Sequence, residues 1–150
     1  MTDAWTRDEP AAAWLRRGAT ALAAARTAIG LAALASPALI ARPWVGAGAA
    51  KAAPGRVLGR ALGGRDLALG LGALAALQRT QAGAPYSAGV WVGVAALADS
   101  FDVLATATAW DELPGMTRWL VAGSAAGSAA VGAVAAWSLI RGQPSAARPA

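Results

Sequence analysis

Cysteine and histidine are both missing from this 150-residue chain. Without cysteine there is no disulfide framework, thiolate metal site or thiol nucleophile. Without histidine the commonest general base and the usual imidazole ligand of zinc or haem are gone as well. Charge is also scarce. Only 14% of residues are Asp, Glu, Lys or Arg, against roughly 25% in ordinary soluble domains. What fills the chain instead is small and apolar: 45 alanines, 18 glycines and a hydrophobic share of 57%. So little polar material cannot solvate several helices in water, and the composition predicts an all-α integral membrane protein. Leu, Val, Ile and Phe together number only 30, so insertion leans heavily on alanine.

Lys and Arg exceed Asp and Glu by 13 to 8, a formal charge of +5. The basic residues lie scattered between apolar runs. A nucleic-acid partner would want them gathered on one face or stripe, so none is expected, and the bilayer is the expected partner.

Residues 119–140 hold no charged side chain. Their 22 residues span about 33 Å as a helix, close to a hydrocarbon core of about 30 Å. Similar reasoning places spans at about 18–41, 60–78, 86–110 and 118–140, giving a four-transmembrane-helix up-down bundle over residues 18–140. Pro37 is expected to bend or loosen the end of the first span. Residues 1–17 read as an interfacial segment, residues 42–59 as a headgroup-level connection rich in Arg, Pro and Gly, and residues 141–150 as a disordered tail. Trp14, Trp44, Trp110, Trp119 and Trp137 fall near span ends, where an amphipathic ring prefers the interface. The mixed-charge opening MTDAWTRDEP does not resemble a cleavable signal peptide. A multi-pass cell-membrane protein follows, and the Arg and Lys of its loops favour N-in, C-in.

Inside lipid the hydrophobic effect gives helices little reason to associate, so close backbone approach must hold them. Small residues four apart meet that need at Gly59 and Gly63, Gly89 and Gly93, Gly123 and Gly127, and at Ser124, Ser128 and Gly132. Homo-oligomers or other membrane-protein partners could use the same faces. The glycine-rich stretch from Gly59 to Gly72 lacks the Gly-Lys-Ser/Thr ending of a phosphate loop and carries no nucleotide expectation.

Arg65, Asp66, Asp99 and Asp102 fall within spans, where an ionisable group costs several kcal/mol unless paired or hydrated. Arg65 lies about 7–8 Å from the span end near Arg60, and Asp102 and Asp99 about 12 and 17 Å from the end near Trp110. In an up-down bundle these ends share one membrane face, so one polar layer can hold all four. Asp99 and Asp102, three apart, share a helix face with Thr106. Either Arg65 sits between them or one carboxyl keeps its proton. Ser124, about 10 Å deep, could donate to the same layer. Arg26, counted from Ala41, lies about 22 Å from that face and is expected to snorkel to the opposite interface. Calcium at Asp99 and Asp102 would need further oxygen ligands not evident in the chain, so no metal and no cofactor is expected.

The run Gly63-Gly64-Arg65-Asp66-Leu67-Ala68-Leu69-Gly70, followed by Ala98-Asp99-Ser100-Phe101-Asp102, resembles small four-helix membrane proteins classed as a domain of unknown function. It is more loosely similar to DoxX-like proteins. The resemblance implies an architecture and singles out Arg65 and Asp66. Three roles remain open: a non-enzymatic accessory or small-ligand and lipid-binding bundle, a small intramembrane enzyme using Asp66, Asp99 and Asp102 as catalytic acids and bases, or a subunit of a proton-coupled transporter.

Overall fold

The computed structural model describes residues 8–79 and 85–141. Among these residues the structure is all-helical. Four long helices, α1 (Asp8–Ala35), α4 (Ala53–Arg79), α5 (Pro85–Thr108) and α6 (Gly115–Arg141), are joined by two short ones, α2 (Pro37–Val45) and α3 (Ala47–Lys51), and by a 3-10 turn at Trp110–Glu112. The long helices hold 24 to 28 residues, or about 36–42 Å at helical rise.

The first long helix is shorter at its C-terminal end than the apolar pattern suggests. Proline has no N–H to give to the carbonyl a turn earlier, and its ring crowds that carbonyl. The helix therefore ends at Ala35, with the Ser36 N–H still donating to Ala32 at 2.7 Å. Pro37 then starts α2 from its first turn, where a missing N–H costs nothing. At the other end, residues 8–17 belong to the same helix rather than to a separate interfacial segment. The stretch 42–59, expected as an irregular connection, is mostly helical: it contains the end of α2, all of α3 and the start of α4. Gly46 makes the corner between α2 and α3 at φ +83°, a conformation glycine adopts without steric cost. The expected tail beyond Arg141 and most of the turn between the second and third spans lie outside the described residues.

Packing is closest in two pairs, α1 with α4 and α5 with α6. At the first seam a Cβ on Gly63 would come within 2.7 Å of the Ala33 Cβ and 3.0 Å of the Gly30 carbonyl oxygen. At the second, a Cβ on Gly132 would lie 2.9 Å from the Ala96 Cβ. The Arg16 guanidinium donates to the Leu77 carbonyl at 3.2 Å, which ties the start of α1 to the end of α4 and fixes the two as antiparallel. The pairs meet through α4 with α5 and α1 with α6.

The distribution of side-chain size is inverted relative to a water-soluble domain. Among the described residues, buried apolar positions are almost all alanine, with Pro37, Leu77 and Val92 the larger ones. Leu31, Val57, Leu71, Leu97, Phe101, Leu104, Leu120 and Val134 face outward. Large apolar side chains on the exterior of all four long helices suit contact with another apolar phase. Among the described residues three helical stretches are long and apolar enough to cross a membrane: Ala13–Ala35, Ser87–Thr108 and Gly115–Arg141, with mean hydropathy of 1.4 to 1.5. The helix between the first two of these carries Arg65 and Asp66 at mid-length.

Candidate functional site

Three helices bring five ionisable groups together. Arg26 projects from α1, Arg65 and Asp66 from α4, Asp99 and Asp102 from α5. Arg65 grips Asp102 with two parallel bonds, Nη1 to Oδ1 at 2.9 Å and Nη2 to Oδ2 at 2.8 Å. Its Nε and Nη2 also reach Asp66 Oδ1, at 3.2 and 3.1 Å. The same Asp66 oxygen accepts from Arg26 Nη1 at 2.8 Å, and Arg26 Nη2 donates to Asp99 Oδ1. The result is one alternating chain, Asp102–Arg65–Asp66–Arg26–Asp99, both ends of which sit on α5. Planar guanidinium forks suit such bridging because each presents several N–H groups in fixed directions.

Arg26 is the residue whose expected position differs most from the observed one. Measuring its depth from Ala41 assumes an unbroken helix to that point. With α1 ending at Ala35, Arg26 lies nine residues, about 13 Å, from the helix end. Asp99 is also nine residues from the end of α5 at Thr108, so the two groups meet at equal depth. Arg26 therefore stays inside and completes the network. The Ser-Pro step was the signal in the sequence that could have located it.

A second layer fixes the Asp102 end. Thr106, fully buried, donates to the Asp102 carbonyl oxygen at 2.7 Å and accepts from the Trp44 indole N–H at 3.1 Å. Trp44 thus anchors the short helix α2 to α5. Trp44→Phe is expected to cost about 1 kcal/mol, the worth of one hydrogen bond, measurable as a lower unfolding midpoint in detergent. No change would mean that α2 is held by other contacts.

Ser124 does not join the charged layer. Its hydroxyl donates to the Val121 carbonyl of its own helix at 3.0 Å, a local bond commonly made by serine in helices. The glycine candidates divide in two. Cβ atoms on Gly59, Gly63 and Gly89 would collide with a neighbouring helix, and one on Gly93 would touch the Ala136 Cβ at 3.6 Å. Beside Gly123 and Gly127 there is open space. The packing face of α6 is Gly132, Ala135 and Ala136. Gly123 is nine residues from Gly132, two and a half turns, which puts it on the opposite side.

The charged chain forms part of the wall of a cavity of about 460 Å³ between the two tight helix pairs. All five of its residues line the space, as do Ser124, Ser128 and Gly132 of α6. One end is bordered by Ile40, Ala41, Pro43 and Trp44 from α2, and most of the remaining lining is Ala, Leu and Val. A largely apolar space with a few convergent polar groups, within the usual span of about 300–1,000 Å³, has the form of a small-molecule site. No family model, curated protein or solved structure matches this chain. What the site does must be argued from its geometry.

Proposed function

We propose that this chain is a multi-pass membrane protein in which α1, α4, α5 and α6 all span the bilayer, and that the cavity between them binds a small amphipathic ligand or lipid. The observation that carries the reading is the 460 Å³ apolar space with the Asp102–Arg65–Asp66–Arg26–Asp99 chain in its wall. A purely structural ion cluster has no need of adjoining empty volume, since such a site is most stable when packed shut. The inverted core supports lipid as the surrounding medium: outward leucines cost nothing there, and inward alanines and glycines allow the close approach that helices in lipid require. The fourth span rests on pairing, because α4 carries its two central charges on the side where α1 and α5 satisfy them.

Acid–base catalysis by Asp66, Asp99 and Asp102 has less in its favour. Each carboxylate is already bonded to a guanidinium. The hydroxyl of Ser124 is turned to its own helix.

The test is to fill the space. Ser124→Trp places a large ring in the cavity from a position without an inter-helix bond, and Gly127→Trp places the same ring on the outer face of α6. Native mass spectrometry of the purified proteins is expected to show non-covalent adducts on the wild type and Gly127→Trp but not on Ser124→Trp, with similar unfolding midpoints for all three. Equal adducts on all three would remove the cavity from consideration.

A further inference from the structure

The charged chain does not balance. Two arginines face three aspartates, and among the described residues no other ionisable group lines the cavity, so with every group in its ordinary state the site carries a formal charge of −1. The surplus is localised. Both oxygens of Asp102 are engaged by Arg65, whereas Asp66 and Asp99 each use only Oδ1. Among the described residues no donor reaches Asp66 Oδ2 or Asp99 Oδ2. Neither carboxylate is sealed away, since the side chains keep 17% and 11% of their surface accessible.

An acceptor-rich, negatively charged patch in a mostly apolar wall selects for a donor that is also positive. An uncompensated carboxylate in such surroundings is costly, and a cation that supplies both charge and N–H groups relieves that cost. An anionic headgroup meets the opposite situation, because both terminal nitrogens of each arginine are already donating to aspartate. A bare metal ion would need several more oxygen ligands than two carboxylate oxygens supply.

Building on the ligand-binding reading, we propose that the cavity takes an organic ammonium: a positively charged amine set against Asp66 and Asp99, with its hydrocarbon portion along the alanine and leucine lining. The ammonium head is the recognised chemistry. It can be carried on a membrane-resident amphiphile or on a small soluble amine, and chain length distinguishes the two.

The test uses the full-length protein in a non-ionic detergent and a panel of probes read by native mass spectrometry: dodecylamine, dodecanol, dodecanoate and butylamine. Dodecylamine is expected to bind about tenfold or more tightly than dodecanol, the advantage of a hydrogen bond to a charged acceptor over a neutral one. That advantage should collapse in Asp99→Asn, which brings the layer to formal neutrality. Should Asp99→Asn fail to accumulate, Asp66→Asn makes the same change of charge on a neighbouring helix. Butylamine matching dodecylamine supports the proposal with a soluble amine as ligand, and butylamine far weaker supports it with an amphiphile. Dodecanol or dodecanoate binding as well as dodecylamine overturns the ammonium assignment and leaves the cavity as an unselective apolar site. Failure of all four probes overturns the ligand-binding reading together with it.

Discussion

Arg26→Met is expected to destabilise the folded chain by about 3–5 kcal/mol, the usual cost of removing one partner from a buried charge pair. The guanidinium bridges Asp66 on α4 and Asp99 on α5, and its side chain is only 12% accessible. Without it, Arg65 alone faces three aspartates, and the formal charge of the layer moves from −1 to −2. Like charges this close in a poorly hydrated site repel strongly. Arg26→Lys should fall between the two, because an ammonium keeps the charge but lacks the planar fork that serves two carboxylates at once. The diagnostic is compensation: Arg26→Met combined with Asp66→Asn and Asp99→Asn leaves the neutral Arg65–Asp102 pair and should recover much of the loss. Unfolding midpoints in detergent measure each variant. A wild-type midpoint for Arg26→Met, or no recovery in the triple variant, would mean that the ion chain does not hold α1 to the other helices.

Arg26 also shows how far the sequence could be read. The helical class was legible from composition, because 63 alanines and glycines with so few charges leave little alternative. Arg65, Asp66, Asp99 and Asp102 were legible as a group, since depth along a helix follows from residue number alone. Arg26 was not, because its depth depends on where α1 stops, and an apolar run passes through Ser36 and Pro37 without a break in hydropathy. The same blindness hid α2. Residues 37–45 are apolar enough to extend a span, and only the geometry of the Pro37 start turns them toward the cavity. Ser124 was placed at a suitable depth and does line the cavity, but a serine in a helix has its own backbone as a competing acceptor, and no spacing pattern tells which it takes.

The cavity itself was out of reach of pattern reading. It arises because α1 packs on α4, and α5 on α6, more closely than the pairs pack on one another. Gly30, Gly63 and Gly70 pull the first pair together, and Gly89 and Gly132 the second. In a chain so rich in small residues, four-residue spacings occur on every face, including faces that contact nothing, such as that of Gly123 and Gly127.

That ambiguity leads to the second large effect. Gly63→Val is expected to weaken the fold by about 1–3 kcal/mol or more, the range for forcing extra atoms into a closed contact, whereas Gly127→Val should change little. A Cβ on Gly63 would meet the Ala33 Cβ at 2.7 Å, the Gly30 carbonyl oxygen at 3.0 Å and the Leu34 nitrogen at 3.2 Å. Two of these are backbone atoms of α1, which cannot move aside without shifting the helix. Displacing α1 from α4 also draws Arg26 away from Asp66, which lies three residues beyond Gly63 along the same seam, so the packing and ionic losses arrive together. Gly63→Val and Arg26→Met should therefore be less than additive when combined, because each removes part of what the other depends on. Gly127→Val adds its branched side chain to open space on the far side of α6 and touches neither seam. Unfolding midpoints of Gly63→Val, Gly127→Val and the Gly63→Val, Arg26→Met pair measure all three statements. If Gly127→Val proved as damaging as Gly63→Val, the outer face of α6 would have to be covered, by a second copy of the chain or another membrane protein, and strict additivity of the pair would separate the seam from the ion chain.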